Sequence, residues 1–233
     1  MTSEASAPPR WRRILGSGWF HLFAAIIVTS LVLSFVAKPY WVPSGSMEQT
    51  LEVGDRVIAN RLAYLGSGPS SGDIVVFEAG PSWEIGVPDA PDPIRGALRW
   101  VGEVTGFGPS GPHTLVKRVI GAPGQTVSCC TESGALMLDG APLDEPYVYN
   151  DLRFEAGVLD CTTEPRSTRC FDEVTVPDAS YLMLGDNRAG SSDSAVLCRV
   201  AGVSDDCWRW AERDDVVGKV FVTYWPFSRW ATF

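Results

Sequence analysis

The sequence predicts a mainly β domain carried behind an N-terminal apolar helix, with a smaller lobe inserted in the β domain. Three observations lead there. Residues 19–37 read WFHLFAAIIVTSLVLSFVA, without one Asp, Glu, Lys or Arg. Beyond them, short runs of β-branched and aromatic residues alternate with turns rich in Gly, Pro and Asp. The six cysteines, Cys129, Cys130, Cys161, Cys170, Cys198 and Cys207, all lie in the C-terminal half.

Residues 1–18 form a polar tail holding Arg10, Arg12 and Arg13. At ~1.5 Å per residue the apolar run extends roughly 28 Å, near the ~30 Å thickness of a bilayer core. It reads as a single-pass transmembrane signal anchor over residues 19–38. The rival reading is a cleaved leader, whose apolar region is ~7–15 residues and ends in a small-x-small site. Here Lys38, Pro39, Tyr40 and Trp41 follow, a poor cleavage site and a good interfacial anchor. His21 reads as an interfacial residue. The arginines before the run place the tail in the cytoplasm and residues 39–233 outside the cell membrane.

In the exported part, "LEVGDRVIANRLAYL" and "GDIVVFEAG" read as two β segments around "GSGPSSG", and Ile74–Phe77 is the clearest strand. Residues 80–93 read as a loop. Apolar positions 94, 98, 101, 104 and 107 predict a short amphipathic helix. "HTLVKRVIGAPGQTV" is a strand, a turn and a strand. "ALMLDGAPL" is a hairpin turning at Asp139-Gly140. Residues 150–172 lack periodicity and read as a loop within the inserted lobe, about 128–173. "DEVTVPDASYLML" gives two more strands, and "VVGKVFVTYW" closes the domain.

A formal net charge of −9 lacks the basic footprint of a nucleic-acid binder. Nine Trp and ten Phe suggest a large apolar surface, a membrane-contacting rim, or both. An even number of cysteines in an exported segment points to disulfides. Short separations favour Cys161–Cys170 and Cys198–Cys207, leaving Cys129 and Cys130 as a vicinal bridge or with partners elsewhere. Zinc is disfavoured, because there is no CxxC and His113 is the only exported histidine.

Serine chemistry has two routes here. A serine nucleophile needs a base. Gly68-Pro-Ser70-Ser-Gly72 matches G-x-S-x-G, but a strand follows it where a helix is required, which weakens a Ser70–His113 pair. A buried lysine is the other base, since desolvation disfavours the ammonium. Lys117 in "TLVKRVIG" shares a strand face with Leu115 and Val119, while Val116 and Arg118 face the other way. Its bland reading is a strand lysine reaching solvent. Ser44 and Ser46 lie on the turn "WVPSGSMEQTL". "GDNRAGSSDS", residues 185–194, is a polar loop whose Ser191 or Ser192 hydroxyl is placed to orient a base.

"PSGSM" with "TL" and "GDRV" after an apolar anchor, then "KRVIG" with "PG", then "GDNR" with S-x-D-S, resemble in content and order the bacterial type I signal peptidases (leader peptidases). The resemblance covers residues 19–127 and 174–233. It implies a membrane-anchored serine endopeptidase that cuts secretory preproteins after a small-x-small site. Ser46 is then the nucleophile and Lys117 the general base. Ser44 and the Ser46 N–H form the oxyanion site, Ser191 orients Lys117, and Asp193 and Asp186 support it. Val42, Met47, Leu51, Leu115 and Val116 line substrate pockets. No metal or other cofactor is implied; the partners are preproteins, the lipid bilayer and the translocation channel.

Two positions depart from the family pattern. Gln49 stands where Pro is frequent, and Ala195 where an Arg usually pairs with the residue matching Asp193. Arg188 and Arg199 are the candidates to replace that Arg. Three other functions compete. A repressor-type Ser–Lys protease does not account for the anchor. A penicillin-binding transpeptidase needs Ser-x-x-Lys. A non-catalytic membrane-bound β module leaves Ser46 unreactive.

Overall fold

The computed structural model describes residues 11, 15–83, 114–199 and 205–233. The helix expected from the apolar spacing at 94–107, and His113, lie outside them.

Helix α1 runs Gly18–Phe35. It turns no stripe toward the protein: Trp19, Phe23, Ile27, Leu31 and Phe35 are all exposed, as are Ile26 and Val28 between them. The helix is shorter than the span expected over 19–38. Its 18 residues extend only about 27 Å. No helix of the described residues is long and apolar enough to cross a membrane. Two local causes end it early. Lys38 precedes Pro39, and the proline ring disfavours the helical region for the residue before it. Ala37–Trp41 then pairs as strand β1 with β2 (Arg56–Asn60), in register Ala37↔Asn60 through Trp41↔Arg56. Lys38 and Pro39 are therefore strand residues, which the apolar count alone did not indicate.

The remaining strands are β3 (Ile74–Glu78), β4 (Thr114–Gly121), β5 (Thr126–Cys129), β6 (Leu136–Leu138), β7 (Ala141–Pro142), β8 (Phe171–Thr175), β9 (Ser180–Leu184), β10 (Ala211–Glu212), β11 (Val216–Trp225) and β12 (Ala231–Thr232). They form two antiparallel sheets. The larger has the order β1-β2-β11-β3-β4-β9-β10, with β12 also on β11; the smaller has the order β7-β6-β5-β8. The β6–β7 hairpin turns at Asp139 (φ 50°) and Gly140 (φ 78°), the pair of positive φ values a type I′ turn requires.

Strand β3 is apolar from Ile74 to Phe77 because both of its faces are buried there, and only Glu78 at its end is exposed. Ile74 and Val76 pack with Met47, Leu51 and Val57, whereas Val75 and Phe77 pack with Val119 and Met183. Its partner β4 is split in the same way, with Val116 in the first cluster and Leu115 in the second. The pairing Val75↔Lys117 and Ile74↔Arg118 puts two cations on opposite faces of one strand. Strand β9 joins β4 only from Arg118 onward. Among the described residues, the Thr114–Lys117 half of β4 thus has a strand partner on the β3 side alone.

The smaller sheet spans Thr126–Thr175, and its long β7–β8 connection is cross-linked by Cys161–Cys170. Cys198–Cys207 closes a loop after β9, and Cys129–Cys130 is a vicinal bridge. The two loop pairs are those expected from their short separations. The sulfurs of Cys129, Cys130, Cys161 and Cys170 lie within 4.8 Å of one another, but as disulfides they have no thiolate to offer a metal.

Candidate active site

The turn that carries Ser46 is a single 3-10 turn, Gly45–Met47, entered by extended backbone at Ser44. Met47 anchors it in the apolar core, 1% exposed, and Leu51 N–H donates to the Met47 carbonyl at 2.7 Å. A Cβ at Gly45 would collide with the Glu48 carboxylate. Gln49 closes the turn with φ 75°, a value the proline ring cannot adopt, and its N–H donates to Glu52 Oε1 at 3.2 Å. Gln49 is thus part of a turn built without the proline frequent at this position.

The loop after β9 clamps this turn from behind. Asn187 N–H donates to the Ser46 carbonyl at 3.1 Å, and Asn187 Nδ2 donates to Gly45 O and Glu48 Oε2, each at 2.9 Å. Thr50 Oγ1 donates to Asp186 Oδ2 at 2.6 Å. The approach is close enough that a Cβ at Gly185 would strike both the Ser46 carbonyl and Ser191 Oγ. Asn187 and Thr50 were missed in the sequence. "GDN" signals a turn whose Asn bonds its own backbone, and nothing local reveals that this side chain reaches across 142 positions to Gly45.

Against this turn lies Lys117, its Nζ 2.6 Å from Ser46 Oγ across 71 positions of chain. Lys117 is 3% exposed and Ser46 8%. Burial pushes the Lys117 ammonium down from 10.5 to about 8, against the opposing pull of the Asp193 and Asp186 carboxylates. Neither acid is within ion-pair distance of Lys117, because each has a nearer cation. Asp186 is held bidentately by Arg118, Nε–Oδ1 2.9 Å and Nη2–Oδ2 2.6 Å. Arg118 also donates to Gly72 O and stacks 3.8 Å from the Tyr147 ring centroid. Asp193 faces Arg199 at 3.2 Å.

The other expected site residues divide. Val42, Ser44, Met47, Leu115 and Val116 border one small cleft with Ser46 and Lys117. Leu51 does not line that cleft: it is fully buried beneath the turn, in the core with Met47 and Val57. Ser191 is buried, but its Oγ makes no hydrogen bond, so the expected bond to Lys117 is not formed in this structure. Ser192 turns away and accepts from Arg209 Nη1 at 2.8 Å. Ser70 is an exposed turn residue whose N–H donates to Asp73 Oδ2. Of the two arginines considered for the role missing at Ala195, Arg188 is committed to Glu145, and Arg199 holds Asp193.

Comparison with known proteins shows the family. Residues 16–225 match the family model described as "Signal peptidase, peptidase S26". The chain belongs to the signal peptidase S26 family. The chain is 38% identical over 217 residues to signal peptidase I of Mycobacterium tuberculosis, covering 88% of this chain and 71% of that protein. It is 37% identical over 233 residues to the probable signal peptidase I of Mycobacterium leprae, covering 91% and 78%. It is 30% identical over 213 residues to signal peptidase IB of Staphylococcus aureus, covering 88% and 86%. As a member of this family the protein is a serine peptidase that acts on secreted preproteins carrying signal peptides.

Proposed function

We propose that the protein cleaves signal peptides with a Ser46–Lys117 dyad. The observation that carries this is the 2.6 Å approach of Lys117 Nζ to Ser46 Oγ in a buried setting. A neutral amine at that distance accepts the hydroxyl proton as Ser46 Oγ bonds to the scissile carbonyl carbon. The protonated Lys117 then gives its proton to the departing amine as the C–N bond breaks, leaving an acyl ester on Ser46. Water attacks that ester, Lys117 takes the water's proton, and the carboxylate is released as Ser46 regains its hydrogen. Ser44 borders the same cleft and in this reading donates to the oxyanion with the Ser46 N–H.

The substrate lies as an added strand along the edge of β4 that has no strand partner among the described residues, so alternate side chains enter the cleft beside Val42, Met47, Leu115 and Val116. The small volume of that cleft, about 20 Å³, favours small residues one and three before the cut.

Helix α1 serves as the anchor. Its apolar side chains are exposed all round, which costs free energy in water and none in lipid. At about 27 Å the helix of the described residues falls short of a ~30 Å bilayer core, so the proposed anchoring rests on its exposed apolar side chains. The catalytic domain then lies outside the cell membrane, close to emerging preproteins and the translocation channel. Tethering of this kind raises the local concentration of a substrate that is itself held in the bilayer.

The test is a preprotein cleavage assay in detergent or proteoliposomes across pH 6–10. Activity is expected to rise through a pKa near 8 and level off well below 10, the ordinary range of an exposed lysine. A rate that still climbs steeply at pH 10 would rule out Lys117 as the base.

A further inference from the structure

Two of the three disulfides share one place in the smaller sheet. The sulfurs of Cys129, Cys130, Cys161 and Cys170 all lie within 4.8 Å of one another, and Cys198–Cys207 is not part of the group. Strand pairing brings them there. Cys129 ends β5, and its partner across the strand pair is Phe171, the residue after Cys170. Cys161 comes over from the β7–β8 connection, its Sγ 3.5 Å from the Cys129 carbonyl. The four cysteines also divide by access. Cys129 is 6% exposed and Cys170 0%, whereas Cys130 and Cys161 are half-buried. Each disulfide therefore joins a covered cysteine to a reachable one. Contacts that use no sulfur hold the same segments in place. Ser167 N–H donates to Asp160 O at 2.9 Å, Ser167 Oγ to Arg153 O at 2.5 Å and Arg166 Nη2 to Asp172 Oδ1 at 2.8 Å, and β5 pairs with β8 from Thr126 to Cys129. The frame does not depend on which sulfurs are joined.

We propose that these four cysteines form a thiol–disulfide exchange site that takes a small-molecule thiol as co-reactant and moves between two pairings. One is the pairing found here; the other is Cys129–Cys170 with Cys130–Cys161. Exchange proceeds by attack of a thiolate on a disulfide sulfur. The incoming thiolate attacks the reachable Cys161 Sγ; a mixed disulfide forms, the Cys161–Cys170 bond breaks, and its electron pair leaves on Cys170. That thiolate is released inside the cluster, where the neighbouring electrophile is the other disulfide. It attacks Cys129 Sγ, forming Cys129–Cys170 and expelling the Cys130 thiolate. Cys130 then attacks Cys161 Sγ of the mixed disulfide, forming Cys130–Cys161 and returning the small thiolate. Nothing is oxidised or reduced overall. The second pairing fastens the β7–β8 connection to β5 at both Cys161 and Cys170, whereas the first closes that connection only on itself. This chemistry is separate from the Ser46–Lys117 reading and stands without it.

The experiment incubates the full-length protein in detergent with a substoichiometric amount of reduced glutathione at pH 8, caps free thiols with N-ethylmaleimide, and digests with trypsin without reduction. Cleavage after Arg118, Arg153, Arg166, Arg169 and Arg188 separates the pairings by mass. The pairing found here gives peptide 119–153 alone, with an internal disulfide, and 154–166 joined to 170–188. The exchanged pairing gives all three peptides as one species. That species should grow with time after glutathione is added, while 189–199 stays joined to 200–209 through Cys198–Cys207 and the circular dichroism is unchanged. In Cys130→Ser the freed Cys129 thiolate lies beside Cys161–Cys170, so 119–153 should become joined to 170–188 with no added thiol, and Cys161 should be found capped. Glutathione that merely opens the bonds, giving capped cysteines and no three-peptide species, overturns the proposal. So does entry of the Cys198 and Cys207 peptides into mixed species at the same rate, which is general scrambling. If Cys130→Ser does not fold, the wild-type digest decides alone.

Discussion

Lys117 and Arg118 are consecutive on β4 and both buried, yet the two faces of the strand treat them differently. On one face Arg118 meets a carboxylate directly, with two hydrogen bonds to Asp186, a third to Gly72 O, and the Tyr147 ring beneath it. On the other, Lys117 shares a face with Leu115 and Val119 and finds a neutral hydroxyl, with both nearby acids matched to other cations. A buried cation with a bidentate partner stays charged and ties elements together. A buried cation without one gives up its proton more readily, which is what a general base requires. The lesson is that burial alone does not make a base; burial with the counter-charge held elsewhere does.

The most severe way to break this contrast is to make position 117 resemble its neighbour. Lys117→Arg puts a permanently protonated group beside Ser46, and preprotein cleavage should fall roughly 10⁴-fold or more, as for Ser46→Ala. Single-turnover assays on variants with wild-type circular dichroism will check this. A Lys117→Arg enzyme with measurable turnover would end the comparison.

Next is the paired face. Arg118→Met strands Asp186 as a buried charge, and stability should drop by about 3–5 kcal/mol, read as a lower denaturant midpoint. On the cleft, Ser44→Ala removes one of two oxyanion donors, and kcat should fall about 10²- to 10³-fold with KM little changed. A silent Ser44→Ala would remove that serine from the oxyanion site.

The same substitution one residue earlier should act in the opposite direction. Folding lowers the Lys117 pKa from 10.5 to about 8, so the unfolded chain binds more protons between those values, and stability rises with pH across that window. The cost of burial is complete below pH 8. Lys117→Met should therefore be inactive but more stable at pH 7, by up to on the order of 3 kcal/mol, with the gain shrinking as pH approaches 10.5. Equal melting temperatures at pH 7 and pH 10 would show that Lys117 is not desolvated. The smallest effect should come from His113→Ala, which ought to keep most of the activity if Lys117 is the base as proposed. A loss as large as that of Ser46→Ala would replace Lys117 with His113 in the mechanism.

The sequence by itself determined what depends on a few neighbouring residues. The strand at Ile74–Phe77 follows from a run of Ile, Val, Val and Phe, and the Asp139-Gly140 turn from residues that tolerate positive φ. Cys161–Cys170 and Cys198–Cys207 follow from separations of nine. The apolar helix was visible too, though not its end: strand pairing of Ala37–Trp41 with β2 claims two positions that hydropathy assigned to the helix. The tertiary structure decided what depends on who is adjacent after packing. It brought Ser46 and Lys117 together across 71 positions, and it chose Arg199 over Arg188 for Asp193. It buried Leu51 in the core and left Ser191 Oγ without a bond. It also turned Asn187 from a turn residue into a clamp on the Ser46 turn. Propensity and periodicity act within a turn or a strand. Desolvation and charge pairing are set by distances that exist only once β4, β9 and the Ser46 turn have packed against one another.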